Sequence, residues 1–141
     1  MKTLICKVNA EKPEQDIISQ AGKILREGGL VAFPTETVYG LGGNALDAAA
    51  SEKIYAAKGR PSDNPLIVHI ARMEDLEKIV TGVPKKAKIL AEACWPGPLT
   101  MILPKSEEVP YETTGGLDSV AVRYPSHPVA QALILAAGGF V

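Results

Sequence analysis

Two short stretches of this chain combine residue types and spacings that can do chemistry. In Lys58-Gly59-Arg60-Pro61 two cations are separated by one glycine. At a helix exit that glycine can turn both onto one surface, where together they hold a polyphosphate. The same four residues also read as a lysine complementing the helix C-terminal dipole beside a solvated arginine, and on their own they leave both readings open. Gly40-Leu41-Gly42-Gly43 is rich enough in glycine to cradle a phosphate. It follows Thr37-Val38-Tyr39 rather than a buried strand, however, so tight backbone packing is the favoured reading. The chain has no Walker loop, no Gly-x-Gly-x-x-Gly opening a helix and no His-Glu-x-x-His, so a nucleotide site must be built another way.

The elements around these stretches follow from periodicity and punctuation. Thr3 to Val8 reads as a short strand. Pro13 to Glu27 reads as an amphipathic helix with Ile17, Ile18, Ala21, Ile24 and Leu25 on one face, ended by Gly28-Gly29. Leu30 to Phe33 is an apolar run of strand length stopped by Pro34, a buried strand delivering the loop Thr35-Glu36-Thr37. Asp47 caps a helix from Ala48 to Lys58, with Ile54 and Tyr55 facing inward and Gly59 as the left-handed exit. Further along, Pro65 to Ile70, Thr100 to Leu103 and Ser119 to Arg123 read as strands. Met73 to Val80, Pro84 to Cys94 and His127 to Ala137 read as helices, with Lys85, Lys86 and Lys88 facing solvent. Strands alternating with helices predict an α/β domain, while irregular helix lengths and proline-rich connections argue against a regular doubly wound nucleotide fold.

Composition bounds the function classes. Among 141 residues there are 15 Lys plus Arg and 16 Asp plus Glu, 46% hydrophobic and 22% charged residues, which suits one soluble domain and excludes a polybasic arm or a disordered tail. No apolar run approaches a membrane span, and the N-terminal apolar stretch is too short for a signal-peptide core, so a cytoplasmic location with no membrane partner is expected. Cys6 and Cys94 belong to no metal or redox pair, and both are expected to be small buried hydrophobes. Helix, Gly-Gly and then an apolar run occurs twice, at Arg26 to Val31 and at Leu135 to Val141. The second copy stops inside its strand, which predicts a chain that is incomplete at its C-terminus.

Five motifs occur in order: Pro34-Thr35-Glu36-Thr37-Val38-Tyr39-Gly40-Leu41-Gly42, Lys58-Gly59-Arg60-Pro61, Asn64-Pro65-Leu66-Ile67-Val68-His69, Trp95-Pro96-Gly97-Pro98-Leu99-Thr100 and Val120-Ala121-Val122-Arg123-Tyr124-Pro125. In this register the chain closely resembles the threonylcarbamoyl-AMP synthase (YrdC-like) family, from about its first helix to its last residue. The resemblance implies that residues 1–141 are the N-terminal catalytic domain of such a protein, with a twisted, mixed sheet flanked by helices around a concave, positively lined cavity. It implies an enzyme that converts L-threonine, bicarbonate and ATP, with magnesium, into threonylcarbamoyl-AMP and pyrophosphate. The product then passes to a complex that modifies an adenosine in tRNA.

By motif position, Lys58 and Arg60 resemble the family's cations on the ATP phosphates and its catalytic charge stabilisers. Ser119 resembles a nucleotide-site hydroxyl, and Thr35, His69 and Arg123 resemble threonine-site residues. A strand-borne arginine suits a carboxylate because its planar fork binds both oxygens. The plain alternatives are a satisfied core histidine for His69 and a surface ion pair for Arg123. The family reaction runs through a carbamate of threonine whose oxygen attacks the α-phosphate, and His69 is a candidate base because its unperturbed pKa lies near neutrality. The family's Ser-x-Asn element, which follows a strand like the one beginning at Phe140, is missing, so the isolated chain is expected to be inactive.

Two other readings compete. An RNA-binding module, or a weak RNA contact, needs a basic excess and interleaved aromatics, whereas the net charge is -1 with 5% aromatic residues. A carbamoyl-transfer domain of hydrogenase-maturation type shares the Lys-x-Arg site, but zinc-finger and acylphosphatase-like flanking segments would mark it.

Overall fold

A computed structural model describes residues 2–141, ordered as α1 (Gln15–Arg26), β1 (Val31–Phe33), β2 (Gly40–Gly42), α2 (Ala48–Lys58), β3 (Ile67–His69), α3 (Met73–Ile79), α4 (Lys85–Cys94), β4 (Thr100–Pro104), β5 (Ser119–Arg123) and α5 (Pro128–Ala136). The expected α/β class is what forms, with the strands divided between two small sheets: an antiparallel β1-β2 ribbon and a mixed sheet of order β3-β5-β4. In the mixed sheet β3 runs parallel to β5, and β4 runs antiparallel to it.

Strand alternation gives the mixed sheet two unlike faces. Val68, Met101, Leu103, Val120 and Val122 are buried in one cluster with Leu76 and Ile79 of α3, Ala87 and Ala91 of α4, and Trp95. Because successive side chains on a strand point to opposite faces, Ile67, His69, Thr100, Ala121 and Arg123 fall on the other face, and none of them is buried. A one-residue slip would put Arg123 into the core, so the hydrophobic pattern itself fixes where the polar face lies.

Leu25, Leu133, Ile134 and Ala137 form a second cluster with Phe33 and Val141, in which α1 packs on α5 and both reach the β1-β2 ribbon. The two helices end alike. Gly28 and Gly29 donate to the Leu25 and Ile24 carbonyls, and Gly138 and Gly139 donate to those of Leu135 and Ile134, closing each last turn in the same way. Gly28 and Gly138 have φ of 86° and 105°, a conformation other residues rarely adopt. Val141 then exchanges both backbone hydrogen bonds with His69, joining the end of this segment to β3.

Several expectations do not hold. Thr3 to Val8 forms no strand and lies almost wholly exposed, with Ile5 at 90%, because no neighbouring strand offers it a ladder. Cys6 lies in that segment, and Cys94 is the last residue of α4, exposed although i, i+4, i+7 spacing puts it on the stripe of the buried Ala87 and Ala91, so neither thiol is a core hydrophobe. Ile24 turns outward from the buried Ile18, Gly22 and Leu25 stripe. The run Leu30 to Phe33 is an outer ribbon with Ala32 exposed, not a fully buried strand.

Gly22 sets the α1 to α5 approach, since a Cβ there would lie 2.6 Å from the Ala136 Cβ and 2.7 Å from its carbonyl carbon and oxygen. In a free helix Gly to Ala gains about 1 kcal/mol. At position 22 the added methyl must push backbone away, so Gly22→Ala is expected to destabilise by about 1 kcal/mol or more. A lower urea midpoint with an unchanged slope is the expected result, and an unchanged or raised midpoint would contradict the close helix contact.

Candidate functional site

The polar face of the mixed sheet, the β1-β2 ribbon and the exit of α2 enclose a cavity of about 270 Å³. Thr35, Lys58, Arg60, His69 and Arg123 all line it, together with Thr37, Tyr39, Ser51 and Thr113. Five of the six residues singled out from the sequence therefore meet, although they are spread over nearly ninety positions. Ser119 is not among the lining residues. It sits at the far end of β5 from Arg123, paired in register with Pro104.

Lys58 and Arg60 owe their placement to the helix exit. Asp47 caps α2 by accepting from the Ala49 amide at 3.0 Å, and Gly59, at φ 62°, turns the chain so that Arg60 donates back to the Tyr55 carbonyl. The Arg60 guanidinium then donates through Nη2 to the Pro65 carbonyl at 2.6 Å and through Nε to that of Asn64 at 3.3 Å. Arg60 therefore fastens its own loop while keeping its charge on the cavity, a positioning role that the motif reading did not contain.

Arg123 and His69 are register partners on β5 and β3, and Thr100 faces Arg123 from β4. The Thr100 hydroxyl accepts from Arg123 Nε at 3.0 Å, the only hydrogen bond of that side chain among the described residues. Its terminal nitrogens are left for a ligand. The motif ending at Thr100 was visible in the sequence, but its clamp on Arg123 was not, because it depends on antiparallel register between distant strands.

His69 Nδ1 lies 3.1 Å from the Ile67 carbonyl. A carbonyl oxygen only accepts, so the proton sits on Nδ1 and Nε2 carries the free lone pair. Burial pushes the His69 pKa below its ordinary 6.5, and Arg123 acts in the same direction, while the Ile67 carbonyl and Glu36 oppose them only in part. The ring is thus neutral at pH 7, with Phe33 edge-on to it at 6.2 Å between centroids.

Thr35 is the most internally occupied of the lining groups. Its hydroxyl donates to the Val38 carbonyl at 2.6 Å, accepts from the Thr37 amide at 3.2 Å and lies 3.1 Å from the Thr37 hydroxyl. It shapes the loop, and Thr37 beside it presents a second hydroxyl to the cavity. Across the cavity the buried Ser51 and Thr113 hydroxyls lie 2.7 Å apart, and Thr113 donates to the Ala45 carbonyl. Nothing in the spacing of Ser51 and Thr113 marked them, since they meet only in the fold. Gly40 to Gly43 is partly resolved as β2, where a Cβ at Gly42 would lie 2.7 Å from both Phe33 and Val141, so close packing explains that glycine.

None of the salt bridges among the described residues involves Lys58, Arg60 or Arg123, and no carboxylate lines the cavity. Three cations facing one cavity without a counter-ion make a site for anions. The profile of the Sua5/YciO/YrdC family, described as "Telomere recombination", matches residues 23–141. The chain belongs to that family. It is 58% identical over 132 residues to the threonylcarbamoyl-AMP synthase of Pyrococcus abyssi, an alignment covering 94% of this chain and 38% of that protein. It is 57% identical over 122 residues to the threonylcarbamoyl-AMP synthase of Bacillus subtilis, covering 86% of this chain and 35% of that protein. The crystal structure of P. abyssi Sua5 complexed with L-threonine superposes with a TM-score of 0.89 at 56% identity, covering 92% of this chain and 38% of that one. The chain thus spans little more than a third of the length of these relatives.

The partly buried His69 of this Sua5/YciO/YrdC domain has a consequence for stability. With its folded pKa below the unfolded one, the unfolded state binds the extra proton first as pH falls, so stability is present above pH 6.5 and is lost as pH drops through the folded value. His69→Phe is expected to lessen the fall in urea midpoint between neutral and mildly acidic pH. A fall as large as in the unaltered protein would show that His69 is not the group responsible.

Proposed function

We propose that this cavity is the adenylating site of an L-threonylcarbamoyladenylate synthase, taking L-threonine, bicarbonate and ATP and releasing pyrophosphate. The observation that carries the reading is the set of three cations without counter-ions, divided between the α2 exit and the sheet face. Two anionic groups must be bound, the triphosphate of ATP and the carboxylate of threonine. Lys58 and Arg60 suit the first. Arg123, held at Nε by Thr100 and free at its terminal nitrogens, suits the second, because a planar fork grips both carboxylate oxygens.

In this reading the His69 Nε2 lone pair accepts a proton from the threonine ammonium, leaving the amine lone pair free to add to carbon dioxide. Bicarbonate supplies that carbon dioxide by breaking its C–OH bond, and the hydroxide so released takes the second proton that the nitrogen loses on becoming a carbamate, leaving water. A carbamate oxygen then attacks the α-phosphorus. The new bond joins that oxygen to the α-phosphorus, and the bond from the α-phosphorus to the bridging oxygen breaks, with the electron pair leaving on pyrophosphate. Negative charge accumulates on the phosphoryl oxygens and the leaving group, which Lys58 and Arg60 face without needing to reorganise.

Magnesium belongs to this reading as a companion of the nucleotide. The cavity lining offers hydroxyls but no carboxylate, and the described residues contain no cluster of His, Cys, Asp or Glu that would hold a metal. Magnesium would accordingly be carried by the phosphate oxygens of ATP, with threonine hydroxyls such as that of Thr37 the side-chain oxygens the lining offers it. Handing the product to a tRNA threonylcarbamoyl-transferase complex and a cytoplasmic location are parts of the same proposal. No described helix is long and apolar enough to cross a membrane.

The test is pyrophosphate release by the intact protein in the presence of all three substrates. Lys58→Ala is expected to reduce it roughly a hundredfold or more, the scale for losing one charge stabiliser. Arg123→Lys keeps the charge but loses the fork, so it is expected to weaken threonine binding more than ATP binding. Near-normal turnover in Lys58→Ala, or equal losses of both ligands in Arg123→Lys, would remove those residues from their roles.

A further inference from the structure

Glu36 stands between Thr35 and Thr37 in the loop joining β1 to β2, yet it does not line the cavity. Its Oε2 accepts from the Ser126 amide at 2.5 Å and from the Ser126 hydroxyl at 3.0 Å, across 90 positions of sequence. Ser126 directly precedes His127, whose Nδ1 caps α5 by accepting from the Val129 amide. The other side-chain hydrogen bonds of the loop stay within it, between Thr35, Thr37 and Val38. Among the described residues, Glu36 thus supplies the loop's only hydrogen bonds to the rest of the molecule beyond its own ribbon.

We propose that Glu36 is a positioning residue for the threonine end of the cavity: by latching the β1 to β2 loop onto Ser126, it holds Thr35 and Thr37 in the wall they share with His69 and Arg123. The inference rests on the assignment of threonine to that end. Burial opposes the charge on Glu36, but the amide and hydroxyl of Ser126, with help from the His127 backbone, outweigh it and hold the carboxyl below its ordinary range. The latch is therefore ionised at neutral pH, and charge-assisted bonds of this kind are the stronger class. Its charge also reaches His69, where it counters part of the effect of Arg123.

The free oxygen separates holding from charging. Oε1 of Glu36 is buried with no partner, so in Glu36→Gln the amide nitrogen can take its place while the side-chain carbonyl still accepts both bonds from Ser126. Glu36→Ala removes latch and charge together. The experiment measures L-threonine and a non-hydrolysable ATP analogue by calorimetry on the intact protein and both variants, with histidine titration followed by NMR. Glu36→Ala is expected to weaken threonine about tenfold, the scale of a charge-assisted pair, and to leave the ATP analogue nearly unchanged. Glu36→Gln is expected to recover most of the threonine affinity, while His69 titrates lower in both variants because the carboxylate is gone. Should Glu36→Ala fail to fold, Ser126→Ala, which keeps the amide, is expected to give a smaller loss confined to threonine. Equal losses of both ligands, threonine binding unchanged in Glu36→Ala, or no recovery in Glu36→Gln would overturn the positioning role. If the unaltered protein bound the ATP analogue but not threonine, the threonine assignment would fall, and this inference with it.

Discussion

Three positive charges facing one cavity without a carboxylate among them is the constraint on which the rest of the structure turns. Like charges repel, and here the groups set beside the cations are neutral ones. Arg60 is held by the Asn64 and Pro65 carbonyls, Arg123 by the Thr100 hydroxyl, and Lys58 by its place at the carbonyl end of α2. Anionic partners would have quenched the site. Elsewhere the chain does pair its charges, as where the buried Asp75 takes both Arg72 and Lys78, so the absence of carboxylates from the cavity is local.

The remainder of the fold reads as support for that surface. Hydrophobic alternation in β3, β4 and β5 sends valine, methionine and leucine to the core and leaves His69, Thr100 and Arg123 on the cavity side. The glycine exit of α2 turns Arg60 toward the same space, and the β1 to β2 loop brings threonine hydroxyls to it. Across the molecule, α5 packs on α1 and carries Ser126 at its start, so the loop is tied to a helix pair outside the cavity. These cavity residues lie in a chain that spans little more than a third of the Pyrococcus abyssi and Bacillus subtilis relatives.

What was legible in the sequence was whatever local chemistry decides. Asp47 as a cap, Gly59 as a left-handed exit, Gly28-Gly29 as a helix end and a strand from Ser119 to Arg123 all rest on signals within a few residues, and all appear in the structure. The convergence of Thr35, Lys58, Arg60, His69 and Arg123 was implied by the family resemblance that the ordered motifs carry, which also implied Ser119, and Ser119 lies outside the cavity. What was hidden depends on long-range pairing. Thr100 clamps Arg123 only through antiparallel register, Thr113 meets Ser51 across 62 positions, and Glu36 reaches Ser126 across 90. The apolar run at Thr3 to Val8 misled for the converse reason, since a strand signal forms no strand without a partner.

The most direct measurement of the central claim is incorporation of isotopically labelled bicarbonate by the intact protein, omitting one substrate at a time. An anion site that joins threonine carbamate to ATP predicts that label enters an adenylate only when L-threonine, ATP and bicarbonate are all present, with one pyrophosphate released for each label incorporated. Pyrophosphate released at the same rate without threonine, or label incorporated without release of pyrophosphate, would contradict it.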